Sequence, residues 1–423
     1  MTEINGLSCF ELAFNSLGQL DEQRQSGNDL ETALAVGDIH DVLVFAHGWN
    51  TSPLSARSTR QAVFGLLAEQ LGDRVASCAA VGIDWPSLLF PEDDPSTTSA
   101  AATSGAQLAN ALAPAFPQQQ FQLDELGALL DHQPAGISEL DRFHYLAKEL
   151  VTSPSLALED SGEAAALSVD TVSLFGHAAA MAKQPLSRPP VGTNHFQTLW
   201  AGGREVLRIL CYYEMKNRAG VVGKDGLGPL LSWLRTPTGP PRIHLLGHSY
   251  GARLVAYALA GLSRDGRDHS PVKSLYLIQG ALSHFAFTDP LPTHHQSRRG
   301  QLAADARLVE GPMLATFSQH DRCLGWWYPN AGLLSREENQ STGELAYHWG
   351  AMGHDGFQGS GTVTMPLGEV GHRHQFESGG QYALDSSTVI AANQSAFGGA
   401  HSDILHPEVI WPAVEAAGLS RPR

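Results

Sequence analysis

Apolar residues along this chain gather in short unbroken runs that end at glycines, separated by stretches with helical spacing. In DVLVFAHGWN, Val42, Leu43, Val44 and Phe45 follow one another before Gly48. A run of that length bounded by a turn residue predicts a strand covered on both faces. The next segment, SPLSARSTRQAVFGLLAEQLGD, opens with a serine before a proline and places Val63, Phe64, Leu66, Leu67 and Leu71 on one helical side. VASCAAVGIDWP then predicts a second strand, stopped at Pro86. Strand, helix, strand in that order is the unit from which parallel sheets are built.

The pattern changes between residues 91 and 198. PEDDPSTTSAAATSGA is polar and of low complexity, and helices are expected around QLDELGALLDH and SELDRFHYLAKELV, with breaks at SPS and PLSRPP. One long helix is expected over HFQTLWAGGREVLRILCYYEMKNRAG and a short one at GLGPLLSWLR. The strand IHLL, the helix ARLVAYALAGL and the strands VKSLYLIQG, GPMLATFSQHD and QYALDSSTVIA follow. A second irregular insertion is expected from about 325 to 380. The alternation predicts an α/β fold: a mostly parallel, doubly wound sheet formed by 1–90 and 199–423, with 91–198 inserted as a mainly helical cap. In such sheets chemistry collects just beyond the carboxyl ends of the strands.

Composition narrows the partners. Among 423 residues, 27 Lys and Arg stand against 43 Asp and Glu, a formal charge of −16, which repels phosphate backbones and anionic headgroups. Nucleic acid and stable membrane insertion are therefore not expected, and no stretch reaches the roughly 18 apolar residues of a membrane span. The beginning, MTEINGLSCFELAF, has neither the basic start nor the apolar core of a secretory signal, so a cytoplasmic location is expected. Cys9, Cys78, Cys211 and Cys323 are scattered without a CxxC pair and are expected as reduced core thiols.

The residues after the predicted strands are chemically pointed. Gly247-His248-Ser249-Tyr250-Gly251 has the GxSxG form between a buried strand and an amphipathic helix. That is the setting of a nucleophile on a sharp strand-to-helix turn, with small residues two positions away on either side. A serine hydroxyl needs a base and an orienting acid to attack a carbonyl, in the chain order serine, acid, histidine. Asp321 follows the strand candidate ending in SQHD and is expected as the acid. Of the histidines after it, His348, His354, His372, His374, His401 and His406, the glycine-rich loop SAFGGAHSDILHP favours His401 as base. His406, just before Pro407, suits a helix start instead. Oxyanion donors are expected at the backbone N–H groups of Tyr250 and Trp49, with His47, Gly48 and Asn50 shaping the HGWN loop.

HGWN, GHSYG, SQHD and GGAHSDI together resemble the α/β-hydrolase superfamily, and VLVFAHGWNTS with MKNRAG and GHSYGARLV is similar to poorly characterised bacterial serine esterase- or peptidase-like members. The resemblance covers about half the chain. It implies a serine hydrolase with nucleophile Ser249, acid Asp321, base His401 and oxyanion donors Trp49 and Tyr250; cleavage of a small or lipid-like carboxylic ester, without a cofactor, is the expected chemistry. Amides and thioesters would use the same machinery, as would acyl transfer, and a non-catalytic binding module on the same scaffold is the alternative from another class. Trp326, Trp327 and Tyr328 are candidates for a pocket lining or for core. A metal held by His354, Asp355, His372 and His374 is disfavoured, since no HExxH or Cys/His knuckle is present, and no phosphate-binding glycine loop occurs.

Overall fold

A computed structural model describes residues 2–21, 27–49, 51–88, 90–91, 104–152, 167–182, 195–292, 298–332, 347–394 and 398–420. These residues group into two compact units: 1–86 with 218–325 and 350–423, and 87–217 with 326–349.

The first unit is built on a nine-stranded sheet: β1 Thr2–Ile4, β2 Leu7–Ala13, β3 Asp41–Ala46, β4 Cys78–Asp84, β5 Arg242–His248, β6 Val272–Ile278, β7 Met313–Phe317, β8 Val363–Pro366 and β9 Gln381–Asp385. Their order in space is β1-β2-β4-β3-β5-β6-β7-β9-β8. Only β1 runs antiparallel to its neighbour; every other pairing is parallel. All six residues of β3 are buried, which is why its sequence reads as a continuous apolar run rather than an alternation.

Helices cover both faces. Leu43 and Phe45 of β3, Leu246 of β5 and Tyr276 and Ile278 of β6 share one buried cluster with Val63, Phe64 and Leu67 of the helix Pro53–Leu71 and Val409, Ile410 and Val414 of the helix Pro407–Ala416. The helix Tyr250–Ala260 packs on β3, β5 and β6 and contributes nothing to that cluster, so it lies on the opposite face. The helix Pro53–Leu71 starts where the serine–proline pair places it, with Ser52 Oγ accepting the Ser55 N–H and Pro53 in the first turn. Around β3 the connectivity reverses: the chain goes from β3 outward to β4 on one side, and from β5 outward to β6 on the other. The crevice at the carboxyl ends of β3 and β5 is thus the switch point of the sheet.

Two regions differ from what the sequence pattern predicts. The N-terminal hairpin β1–β2 lies outside the predicted elements, although Asn5 and Gly6 form its two-residue turn with φ of 48° and 84°. The stretch expected to be irregular between about 325 and 380 contains the edge strand β8 and a short helix, Met352–Asp355.

The second unit is helical, with Gly105–Leu112, Gln120–His132, Ile137–Lys148, Thr171–Ala182 and His195–Trp200 among its elements. Phe143, Phe175 and Trp200 meet edge to face at 5.6 to 5.7 Å between ring centres. The expected long helix is broken into His195–Trp200 and a second helix beginning at Gly203. Gly202 at the break lies against the backbone of Thr171–Ala182, where a Cβ would stand 2.5 Å from the Ala179 nitrogen. Trp327 and Tyr328 are buried in this unit, packed against Tyr212, and the Trp327 indole N–H donates to Glu205. They serve as core. Among the described residues, no helix is long and apolar enough to cross a membrane.

Candidate active site

Ser249 is the first residue past β5. Its backbone sits at φ 56°, ψ −122°, a region that costs an ordinary L-residue of order 1–3 kcal/mol and that persists only when the surroundings enforce it. The enforcement is visible on both sides. The Ser249 N–H donates to the Ile278 carbonyl, and its own carbonyl accepts from Ala252 and Ala281. The flanking glycines are required sterically: a Cβ on Gly247 would stand 2.3 Å from the Gly251 oxygen, and one on Gly251 would stand 2.0 Å from the Ala46 oxygen. The turn therefore brings β5, its helix and the end of β3 closer together than any side chain permits.

His401 lies in the segment between β9 and the helix Pro407–Ala416. Its Nε2 is 2.8 Å from Ser249 Oγ and its Nδ1 is 2.7 Å from Asp321 Oδ2. Asp321 follows β7 and is wholly buried, its Oδ1 accepting the Leu324 N–H at 2.9 Å. Three residues separated by 152 and 80 positions thus form one hydrogen-bonded chain, and all three belong to the first unit. The loop carrying His401 is tied back to the acid, because Asp321 and Gly399 form a bridge and the Ala400 N–H donates to the His320 carbonyl. Gly399 itself has φ 61°, a left-handed bend that a glycine adopts without strain.

His248 completes the grip. Its Nε2–H donates to the His401 carbonyl at 2.9 Å, and the two rings lie 5.0 Å apart. Burial, reinforced by the neighbouring His401, pushes the His248 pKa down to about 3, so at neutral pH it is an uncharged donor.

Gly48, in the loop after β3, meets Ser249 directly. A Cβ on Gly48 would stand 2.7 Å from Ser249 Cβ and 3.2 Å from His248 Nδ1. Trp49 and Tyr250 are both buried, with ring centres 6.0 Å apart. His47 shapes this loop: its Nδ1–H donates to the Gly48 carbonyl, its own carbonyl accepts the Trp85 indole N–H, and the two rings stack at 5.8 Å. Burial lowers the His47 pKa and keeps the ring neutral in that role. Asn50, expected to help, lies outside the described residues. Tyr250 opens a helix, whose first N–H groups and positive dipole end face the preceding residue.

The other histidines have different duties. His406 is the N-cap residue of Pro407–Ala416 and bonds Asp403 at 2.9 Å. Both ring nitrogens of His374 are engaged, by Glu415 and by the Leu367 carbonyl. His354 and His284 each bond one oxygen of Asp355. Burial opposes the charge on Asp355, yet these two imidazoles hold its pKa down to about 2. Among the described residues, no group of three or more metal-ligating side chains converges.

One feature was hidden from the sequence and sharpens the reading. Ser274, His244 and Asp41 form a second serine–histidine–aspartate chain, with both links at 2.9 Å, on β6, β5 and β3. All three are at most 2% exposed, and Ser274 sits inside β6, just past a register shift against β5, with no strand-to-helix turn to present it. Here the network ties three strands together. The Ser249 set differs in occupying a strained turn at the switch point, beside the Gly48 loop.

Compared with protein-family models, with curated proteins and with solved structures, the chain matches none.

Proposed function

We propose that this chain is a serine hydrolase of the α/β-hydrolase type, cleaving carboxylic esters of small or lipid-like substrates. The observation that carries the reading is the Ser249–His401–Asp321 chain, at 2.8 and 2.7 Å, with its serine in a left-handed strand-to-helix turn. Hydrogen bonding alone would not suffice, since the buried Ser274 chain has it too.

In the proposed reaction Ser249 Oγ bonds the substrate carbonyl carbon while its proton passes to His401 Nε2. Asp321 accepts the Nδ1–H and stabilises the imidazolium. The carbonyl oxygen becomes an oxyanion, met by the N–H groups of Trp49 and Tyr250. Collapse expels the alkoxide, which takes the proton from His401, and leaves an acyl group on Ser249. Water, deprotonated by the now neutral His401, then releases the acid.

The test is turnover of 4-nitrophenyl esters against peptide anilides by wild type and Ser249→Ala. Ester cleavage that disappears in Ser249→Ala is expected. Faster cleavage of the anilides would assign the site to amides. Equal ester cleavage by both proteins would remove Ser249 from the chemistry.

A further inference from the structure

Gln279 is the first residue past β6, and the sheet alone does not account for it. Its backbone is left-handed, φ 44°, which costs a residue bearing a Cβ about 1–2 kcal/mol. It is fully buried, an uncommon place for a long amide. Its Nε2 donates both hydrogens, one to Asp321 Oδ2 and one to the Gly353 carbonyl, each at 2.8 Å. Two acceptors on one nitrogen fix the amide's orientation, because a flipped group would turn its oxygen onto a carboxylate and a carbonyl. Gly353 is shaped to this contact: a Cβ there would come within 2.4 Å of the Gln279 carbonyl carbon. The backbone is held as firmly, with the Gln279 N–H donating to Thr316 Oγ1 of β7 at 2.9 Å.

We propose that Gln279 is a positioning residue for ester hydrolysis, an inference that rests on the serine-hydrolase reading. It acts through Asp321. Oδ1 of that carboxylate is pinned by the Leu324 N–H, whereas Oδ2 faces His401, whose loop is rich in glycine. The amide of Gln279 anchors Oδ2 from a strand end, so the carboxylate plane holds its aim while the imidazole gains and loses its proton. A neutral donor does this without cancelling the carboxylate's charge, which a lysine or arginine in its place would do.

The experiment compares wild type with Gln279→Met and Gln279→Glu in 4-nitrophenyl ester hydrolysis over pH, with folding followed by circular dichroism. Removing one hydrogen bond to a charged group is expected to lower kcat about 10- to 100-fold, with KM within about threefold. Gln279→Glu keeps the shape but donates only when its carboxyl is protonated. Its kcat is therefore expected to fall as pH rises through that titration, a limb absent from wild type. Folded Gln279→Met with wild-type kcat, or Gln279→Glu with a wild-type pH profile, would overturn the proposal. If neither variant folds, the side-chain N–H resonances of Gln279 in wild type decide: they are expected to shift when a fluorophosphonate occupies Ser249 and His401 is protonated, and unchanged resonances would overturn it. Failure of the hydrolase reading looks different, since wild type itself would then neither turn over ester nor take up the phosphonate.

Discussion

Gly48→Ala isolates the contact on which the proposed oxyanion site depends. The added methyl would stand 2.7 Å from Ser249 Cβ, whereas ordinary van der Waals contact begins at 3.4 Å, so the Gly48 backbone and the Ser249 turn must separate by about 0.7 Å. The turn cannot easily give, because the Ser249 N–H and carbonyl are held by Ile278, Ala252 and Ala281 and its glycines are pressed against backbone. The loop moves instead, carrying the Trp49 N–H away from the oxyanion. Misplacement on that scale, or loss of one oxyanion donor, lowers kcat about 10²-fold. Overpacking lowers stability by about 1–3 kcal/mol. The assay is steady-state hydrolysis of a 4-nitrophenyl ester alongside urea unfolding, with Gly65→Ala as control. Gly65 lies in the helix Pro53–Leu71, and a Cβ there meets nothing within 4 Å. Its substitution is expected to leave kcat unchanged and to raise stability by about 0.5–1 kcal/mol. A folded Gly48→Ala protein with kcat within threefold of wild type would refute the placement of the oxyanion donors.

Three further outcomes are expected. Asp321→Asn stays folded by circular dichroism but loses roughly 10⁴-fold in kcat, since the amide favours the wrong imidazole tautomer; undiminished turnover would transfer the acid role elsewhere. Ser274→Ala leaves ester turnover unchanged, whereas Asp41→Ala, which leaves an N–H of the buried His244 unsatisfied, lowers unfolding free energy by about 1–3 kcal/mol in urea titrations. The buried neutral His248, with its pKa lowered to about 3, takes up no proton in the folded state above that pH. The unfolded chain does so below about 6.5, so stability is lost as pH falls through that window. His248→Gln is expected to flatten the loss between pH 7 and 4, and an identical slope in wild type and variant would show that His248 is not its source.

Much of this site was legible because the fold writes it into short local patterns. A strand buried on both faces reads as VLVF, and an Ala46 oxygen 2.0 Å from where a Cβ would stand leaves glycine as the residue that fits at position 251. Ser249, Asp321 and His401 each follow a strand; chain order narrows nineteen histidines to six, and the glycine-rich loop after the last predicted strand singles out His401. What escaped lies in contacts that local pattern does not encode. Gln279 has no motif; only its positive φ and the approach of Gly353 mark it. The role of His248 depends on a carbonyl 153 residues away. The second serine–histidine–aspartate chain is drawn from the amino ends of three parallel strands, a juxtaposition set by sheet order. The hairpin β1–β2 was readable, through Asn5-Gly6 between two short strands. The strand β8 was not, being four residues long, mostly exposed and ended by a proline.

The central claim is that one serine of this chain is activated at the switch point of the sheet. Its most direct measurement is treatment of the intact protein with a fluorophosphonate at neutral pH, followed by peptide mass mapping. A single adduct on Ser249, absent from His401→Ala, is the expected result. A folded wild type that carries no adduct, or one modified at another serine, would contradict it.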